Sequence, residues 1–219
     1  MLCLIEINDY LDQLLVSLFQ EKILKPGEFE SWKQLRLTEI ANFKNGLAMQ
    51  KYRPSENDIG LPVLKIKELG AGKVDENTER CSSKIDHSVI VNDGDVVFSW
   101  SGTLLVDLWC GGTVGLNQHL FKVTSETFPK WFYFVWIKHH LKTFIALATA
   151  KATTMGHIKR GDLEASYVFL PPESKMKELS QLFSPLIEKI IINKIENSRL
   201  EDIRDNLLPR LLSGEVSIG

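Results

Sequence analysis

The spacing of apolar residues divides the chain into three segments. In residues 3–24 apolar side chains recur at steps of three and four, as on one face of an α-helix, and Pro26-Gly27 predicts its end. Residues 32–170 mix strand-like runs with one long helical stretch, and residues 173–212 return to helical spacing. The pattern predicts an α+β fold, with a sheet-rich globular body between two long coiled-coil-like helices. The predicted units are residues 1–30, 31–170 and 171–219.

Short apolar runs separated by turn residues predict the central elements. The tight turn Asn92-Asp-Gly-Asp95 precedes a run that is apolar on both faces, which is typical of a buried strand. Residues 35–41 fit either a short strand or a short helix. The remaining predicted elements are a helix at Trp131–Ala150, a turn at Gly111-Gly112, and strand-like runs at Leu61–Lys67, Val96–Trp100, Thr113–Leu116, His119–Val123 and Tyr167–Leu170.

The last segment carries a coiled-coil-like seam. Ser184-Pro185 predicts the start of a longer helix after a short one, because proline is favoured at the first helical position. Pro209 and Gly214 predict its end. The seam begins at Phe183 and consists of Phe183, Leu186, Ile190, Asn193, Asn197, Leu200, Arg204, Leu207 and Leu211. Its polar members either select register and partner or face solvent at a kink. The predicted subunit-interface residues are Leu11, Leu15, Phe19, Leu186, Ile190, Asn193, Asn197, Leu200, Leu207 and Leu211.

Composition excludes several classes of protein. Of the 219 residues 44% are hydrophobic and 25% charged, as in an ordinary globular protein, and no apolar run reaches the roughly 20 residues of a membrane span. The N-terminus lacks a basic stretch and meets acids at Glu6 and Asp9, unlike a signal peptide. The isolated Cys3, Cys81 and Cys110 form no CxxC motif and are typical of small buried hydrophobes in a reducing compartment. We therefore expect a cytoplasmic protein.

Common catalytic signatures are missing from the sequence. No phosphate-binding loop or dinucleotide fingerprint occurs, and Gly70-Ala-Gly72 is too short for either. The adjacent His139 and His140 would point about 100° apart on a helix, which disfavours a shared metal ion. Ser99–Gly102 resembles a nucleophile elbow only superficially. We predict no catalytic residue and no metal site, and these absences favour a binding module.

Charge is distributed unevenly around a net value of −2. Residues 1–30 carry two lysines against six acidic residues, whereas residues 31–170 carry 17 basic against 14 acidic ones. No Asp or Glu occurs from Thr127 to Gly161. This acid-free stretch predicts either a local electropositive surface for phosphate or an ordinary solvated helix face. Its cations and histidines are Lys130, Lys138, Lys142, Lys151, Lys159, Arg160, His139, His140 and His157.

Three loops have the residue types that contact DNA, although each alone also fits an ordinary surface loop. Residues 44–53 supply amide and basic side chains that read base edges. Residues 99–103 supply hydroxyls for phosphates, and residues 149–160 supply hydroxyls, lysine and arginine together. The predicted DNA-binding residues are Lys44, Asn45, Gln50, Lys51, Arg53, Ser101, Thr103, Thr153, Thr154, His157, Lys159 and Arg160.

Four passages, spanning nearly the whole chain, resemble the specificity subunits of type I restriction-modification systems. Residues 7–19 are similar to the end of that family's central helical spacer, and residues 32–41, followed by Gly46, to the start of a target recognition domain. Residues 154–172 are similar to that domain's closing element, and residues 193–215 to the distal spacer helix. No single motif is decisive, but their order and spacing are specific.

The resemblance implies a non-catalytic subunit that reads half of a split target on double-stranded DNA. Family members usually carry two recognition domains, whereas this chain shows one. Three explanations are open: a truncated product, a half that accompanies another half-specificity chain, or a form that restores two domains as a homodimer. The terminal helices then pair either within the chain or across that dimer. The implied partners are a methyltransferase subunit and a restriction-translocase subunit. S-adenosylmethionine, ATP and magnesium would be bound by those partners, not by this chain. The rival readings are a stand-alone nuclease and an interaction scaffold that does not bind DNA.

Overall fold

Long helices at both ends enclose a sheet-rich body in the computed structural model, which describes residues 2–151 and 156–213. This arrangement confirms the predicted α+β class. The α-helices in the described ranges are α1 (Leu2–Lys22), α2 (Leu37–Ile40), α3 (Ile66–Ala71), α4 (Lys130–Lys151), α5 (Arg160–Glu164) and α6 (Glu173–Leu212). The strands are β1 (Lys33–Arg36), β2 (Asn42–Asn45), β3 (Leu61–Leu64), β4 (Arg80–Cys81), β5 (Ile90–Val91), β6 (Val96–Ser99), β7 (Leu105–Leu108), β8 (Val114–Leu116), β9 (Leu120–Thr124) and β10 (Tyr167–Leu170).

Two four-stranded sheets form the body. One has the order β2-β9-β6-β7 and is antiparallel throughout. The other has the order β4-β3-β8-β5, with β3 and β8 parallel. Because side chains alternate across a strand, β6 turns Val96 and Phe98 to the main core and Val97 to the second core. A strand buried on both faces explains why this run is apolar at consecutive positions.

Two predicted boundaries shift in the structure. Residues 35–41 are not one element: β1 pairs with β10, and α2 begins at Leu37 directly after it. Residues 44–53 are not a continuous loop, because Lys44 and Asn45 complete β2 in its ladder with β9. A 3-10 turn then covers Met49–Lys51 and buries Met49. Residues 42–45 form a strand because they pair with β9, which is distant in sequence.

The main core lies between α1, α4, α6 and the first sheet. Phe19 of α1 meets Trp136 of α4 edge to face, with ring centroids 4.9 Å apart. Trp131 of α4 stacks on Phe183 of α6 at 4.8 Å, and its indole N–H donates to the Ser180 hydroxyl. The terminal helices are therefore part of the same hydrophobic core as the sheet.

Helix α6 runs unbroken through both of its prolines. The expected start of a new helix at Ser184-Pro185 is wrong, because Pro185 lies in the interior of a 40-residue helix. A proline there removes one backbone hydrogen bond and costs roughly 3 kcal/mol. Burial of Phe183 and Ile187 on either side offsets that cost. Pro209 likewise does not end the helix, which continues to Leu212.

Helices α1 and α6 pair antiparallel within the chain. The Asn193 amide donates to Asn8 Oδ1 at 3.0 Å, and the Asn8 amide donates to the Ile190 carbonyl at 3.4 Å. Asn193 is only 2% exposed. These hydrogen bonds satisfy both polar side chains inside an otherwise apolar contact. The structure thus places the pairing of these two segments inside one chain.

Most of the predicted subunit-interface residues are covered by this pairing and by α4. Their role is corrected from contact between subunits to packing within the chain, because the chain's own helices cover the apolar stripe. The residues concerned are Leu15, Phe19, Ile190 and Asn193, which are buried, and Leu11 and Leu186, which are partly buried against the core.

Substituting Asn193 by alanine is expected to lower the free energy of unfolding by about 1–3 kcal/mol, because it removes a buried amide and leaves the partly buried Asn8 oxygen without its donor. Chemical denaturation measures this directly. The matched control is Asn206→Ala on the exposed end of the same helix. Equal effects at the two positions would contradict the assigned role of the buried pair.

The distal end of α6 extends past the start of α1. Residues 202–210 are all exposed, including Leu207, whereas Leu200 and Leu211 are partly exposed. Ile203, Leu208 and Leu212 add further exposed apolar surface. The predicted interface residues Leu200, Leu207 and Leu211 therefore lie where the described part of the chain leaves the helix largely uncovered.

Ion pairs join α6 to β7 and to the segment that follows α3. Lys194 binds both carboxylate oxygens of Asp107 on β7 at 2.6 Å. Lys73, just after α3, binds Glu201 at 2.9 Å. The Asn197 amide donates to the Glu201 carboxylate, and both residues belong to α6. These contacts fix the direction in which the distal end of α6 leaves the body.

Candidate nucleic-acid interface

Three segments that the sequence singled out meet at one end of the first sheet. Ser101 and His157 form an isolated antiparallel bridge. Beside it, the Gly102 amide donates to the Gly156 carbonyl at 2.9 Å and the Ile158 amide donates to the Trp100 carbonyl at 3.0 Å. The end of β2 at Asn45 joins them through Trp100. The sequence predicts each of these loops separately as a DNA contact, but only the fold brings them together.

Trp100 is the centre of this junction. Its indole N–H donates to Asn45 Oδ1 at 3.1 Å. Its ring lies 5.9 Å from His119 and from Phe121, and 6.4 Å from His157, between centroids. The half-buried tryptophan thus holds side chains from three parts of the chain in one patch.

Gln118 and His119 belong to the patch and were missed as site residues. His119 Nδ1 lies 3.0 Å from the Ser101 hydroxyl, and His119 Nε2 lies 3.3 Å from Gln118 Nε2. The predicted strand His119–Val123 includes this histidine, whereas β9 begins at Leu120. The signal available was the polar triplet Asn117-Gln118-His119 between two apolar strands.

The predicted role of Ser101 requires correction. Its side chain is buried, with 4% exposure, and its hydroxyl is engaged with His119. It therefore positions the histidine and does not present a hydroxyl to phosphate. Thr103 is exposed and lines a shallow groove with Gly156 and Thr149. The predicted Thr153 and Thr154 lie outside the described residues.

Cations flank the patch on one side. Lys44 and Arg160 line the same cleft as Asn45, together with the acidic Glu39 and Glu126. Lys159 is exposed beside them, and its backbone amide donates to Asp162 at the start of α5. Arg160 pairs with Glu164 at 3.4 Å. The cleft therefore mixes charges, with exposed cations at its rim.

Gln50, Lys51 and Arg53 lie at a different part of the body. They follow β2 beyond Gly46, where the chain runs along β8 toward β4. Arg53 pairs with Glu79 at 3.1 Å, next to the start of β4. Gln50 and Lys51 are exposed on the 3-10 turn. The structure joins only the first two residues of the predicted 44–53 loop to the Trp100 patch.

The acid-free stretch does not form one electropositive face. Lys130 donates to the Gly94 carbonyl at 2.6 Å, and Lys138 pairs with Asp12 of α1. Partial burial against Phe19 and Trp136, together with the neighbouring His140, lowers the pKa of His139 to about 4 although the residue stays exposed on one side, and burial lowers the pKa of His140 as well. Lys130 and Lys138 therefore do not add to an electropositive surface, because α4 packs between other elements and these two charges are engaged in internal contacts.

The two histidines of α4 predict a loss of stability in acid. Their pKa values are lower in the folded chain than the value of about 6.5 in an unfolded one, so unfolding takes up protons below that pH. Stability is therefore expected to be complete above pH 6.5 and to fall as the pH drops toward 4. Melting temperatures across this range measure it. The double variant His139→Gln/His140→Gln should flatten the dependence, and His87→Gln, at an exposed position, controls for removal of an imidazole.

Residues 2–151 and 156–213 contain neither a candidate metal site nor a candidate membrane span. No group of three or more His, Cys, Asp or Glu side chains in these ranges is arranged to hold a metal ion. None of the helices in the same ranges combines the length and the apolar character needed to cross a membrane.

Sequence comparison identifies relatives over most of the chain. The family model described as type I restriction modification DNA specificity domain matches residues 30–202. The type I restriction enzyme MjaIX specificity subunit of Methanocaldococcus jannaschii is 26% identical over 198 residues, covering 86% of this chain and 45% of that protein. The EcoKI specificity subunit of Escherichia coli K12 is 27% identical over 219 residues, covering 90% and 44%. The chain therefore spans less than half the length of these relatives.

Solved structures show the same fold. The type I restriction-modification system S subunit from M. genitalium superimposes with a TM-score of 0.59 at 15% identity, covering 95% of this chain and 55% of that one. The HsdS subunit from Thermoanaerobacter tengcongensis gives 0.51 at 17% identity, covering 91% and 50%. Since the family model covers residues 30–202, including both sheets and most of α6, the chain belongs to the family of type I restriction-modification DNA specificity domains.

Proposed function

We propose that this chain reads DNA sequence, without catalysis of its own, for a type I restriction-modification complex. The observation that carries the proposal is the patch around Trp100, where Asn45, Gln118 and His119 are held together by contacts between distant segments. Amide and imidazole side chains can donate to and accept from base edges in the major groove. The framework of hydrogen bonds behind them keeps the patch ordered before DNA arrives, which lowers the cost of binding.

Phosphate contacts are assigned to the cations beside the patch. Lys44, Lys159 and Arg160 are exposed near Asn45, and Lys44 and Arg160 line the same cleft as Asn45. Contacts of this kind set the position of a protein on a duplex and give binding its dependence on salt. Glu39 and Glu126 in the cleft keep this electrostatic attraction modest, so the surrounding complex would supply much of the affinity for DNA.

The distal end of α6 is assigned to partner binding. Its exposed Leu207, Leu208 and Leu212 lie beyond the reach of α1, and an uncovered apolar helix face is stabilised by a partner helix. We assign this end to the methyltransferase and restriction subunits and to a second copy or a second half-specificity chain. With one recognition patch per chain, each copy would read half of a split target, and the ion-paired α6 would set the separation of the two halves.

The proposal places S-adenosylmethionine, ATP and magnesium on the partner subunits and the whole complex in the cytoplasm. The division of labour is that this chain selects the site while the partners transfer the methyl group or cut the DNA. A chain in this role needs ordered contacts to DNA and to its partners, and the Trp100 patch and α6 offer both.

The test is to purify the chain together with the methyltransferase subunit of its system and to map methylated adenines in DNA treated with the complex. We expect methylation at one defined split motif. A palindromic motif would identify two copies of this chain in the complex, and a non-palindromic motif would identify a second, different recognition domain.

Other results would favour the rival functions. A complex that forms but binds target and random duplexes equally, without dependence on salt, would indicate an interaction scaffold. Divalent-metal-dependent cleavage of DNA by the purified chain alone would indicate a nuclease. Failure of the chain to bind the methyltransferase subunit would contradict the proposed role of α6.

A further inference from the structure

The hydrogen bond between Trp100 and Asn45 fixes which end of the Asn45 amide faces outward. An indole N–H can only donate, so the atom that faces it at 3.1 Å must be the amide oxygen. The NH₂ group lies at the other end of the same amide. Asn45 is exposed, and its NH₂ has no hydrogen-bond partner among the residues that the structure describes.

Trp100 is itself held in place, so its direction is not set by Asn45 alone. Its backbone amide donates to the His119 carbonyl at 3.3 Å, and its carbonyl accepts from the Ile158 amide at 3.0 Å. Its ring packs against His119 and Phe121. Asn45 is fixed from its own side, because it pairs with Phe121 in the β2-β9 ladder. Two constrained backbones therefore orient one amide.

We infer that Asn45 is a specificity-determining residue that presents hydrogen-bond donors to an acceptor-bearing base edge, and that guanine is the base it prefers. This assignment rests on the proposed function. Guanine offers O6 and N7 as acceptors in the major groove, whereas cytosine offers the N4 amino donor. Adenine is read by an asparagine through both ends of the amide. The oxygen end of Asn45 is turned toward Trp100, so the adenine arrangement is disfavoured.

The isosteric substitution Asn45→Asp reverses the polarity of the outward end. One carboxylate oxygen still accepts from the Trp100 indole, and the other replaces the NH₂ donor with an acceptor. Aspartate accepts from cytosine N4. The variant is therefore expected to exchange guanine for cytosine at one position of the motif, with a change in preference of about tenfold or more.

The substitution Trp100→Phe supplies an independent variant. It keeps an aromatic ring against His119 and Phe121 but removes the indole donor. The Asn45 amide can then turn either end outward, so adenine becomes acceptable where guanine was required. We expect the discrimination between these two bases at that position to fall about tenfold, while the other positions of the motif stay unchanged.

The experiment uses the complex of each variant with the methyltransferase subunit and a library of randomised duplexes, and it scores base preference at every position after methylation. Asn42→Asp is the matched control, because it makes the same chemical change on the opposite face of the same strand. It should lower methylation of all sequences alike, through charge, without altering preference. Melting temperatures establish that each variant is folded.

The outcomes separate this assignment from the proposed function. A defined wild-type motif in which Asn45→Asp exchanges guanine for cytosine at one position supports the assignment. A defined motif that both Asn45→Asp and Trp100→Phe leave unchanged in preference overturns it while the proposed function stands. A wild-type complex that methylates without any sequence preference overturns the proposed function and the assignment together.

Discussion

Replacing Phe183 with alanine is expected to lower the free energy of unfolding by about 3–5 kcal/mol, the range for truncating a buried aromatic side chain. Phe183 is fully buried and stacks on Trp131 at 4.8 Å, so the change removes both the burial and the ring contact. It also opens a cavity beside Pro185, where the helix already lacks one backbone hydrogen bond. Domains of this size have total stabilities of about 5–15 kcal/mol, so much of the chain's stability would be lost.

Chemical denaturation of Leu182→Ala provides the control for this prediction. Leu182 is the preceding residue on the same helix and is exposed, so its truncation should change stability by no more than about 0.5 kcal/mol. If both substitutions had equal effects, the structure's placement of α6 against α4 would be contradicted. A selective loss at Phe183 would show that α6 is part of the core of the domain.

Replacing Gly46 with alanine is expected to destabilise the chain by about 3 kcal/mol, at the upper end of the cost of overpacking. An added Cβ atom would overlap the carbonyl oxygens of Leu116 and Asn117. Both are backbone atoms, which cannot rotate away as a side chain can. The Gly46 amide donates to Leu120 and the Leu47 amide to Leu116, and the required shift would strain both hydrogen bonds.

The same substitution should also impair DNA discrimination, since Gly46 lies between Asn45 and the loop that carries Gln118. Thermal melting and methylation mapping measure the two effects separately. Gly70→Ala is the matched control: nothing lies within 4 Å of an added Cβ in helix α3, and alanine should stabilise a helix by roughly 0.5–1 kcal/mol. Stability unchanged by Gly46→Ala would contradict the close approach of β2 to residues 116–117.

The polar patch shows how far sequence reasoning reaches for a binding site. Asn45 was predicted from residue type, because amides read base edges and this one lies beside a turn-forming glycine, whereas His157 was predicted from the acid-free stretch and the family-like closing element. Trp100 falls both in the predicted buried strand and in the predicted DNA loop 99–103, but the sequence assigns it no role in binding, because nothing local distinguishes a core tryptophan from one that orients a binding residue. Ser101 was predicted as a phosphate contact, but its burial against His119 depends on where β9 ends.

The sequence by itself determined the three long helices, the strands β3, β6, β8, β9 and β10, and the order in which they occur. Helical spacing identified α1, α4 and α6, and turn residues bounded β6 and β10, because these signals are local and recur within a few residues. It also supplied the resemblance to specificity subunits, which depends on the order of four passages along the chain.

Only the tertiary structure decided which elements meet. In the structure Asn193 contacts Asn8 within one chain, β2 is a strand because it pairs with β9, and α6 continues past Pro185. It also gathered Asn45, Trp100, His119 and His157 into one patch. Each of these outcomes depends on contacts between residues far apart in sequence. The energies of these contacts offset local conformational preferences, and a linear pattern reports only those preferences.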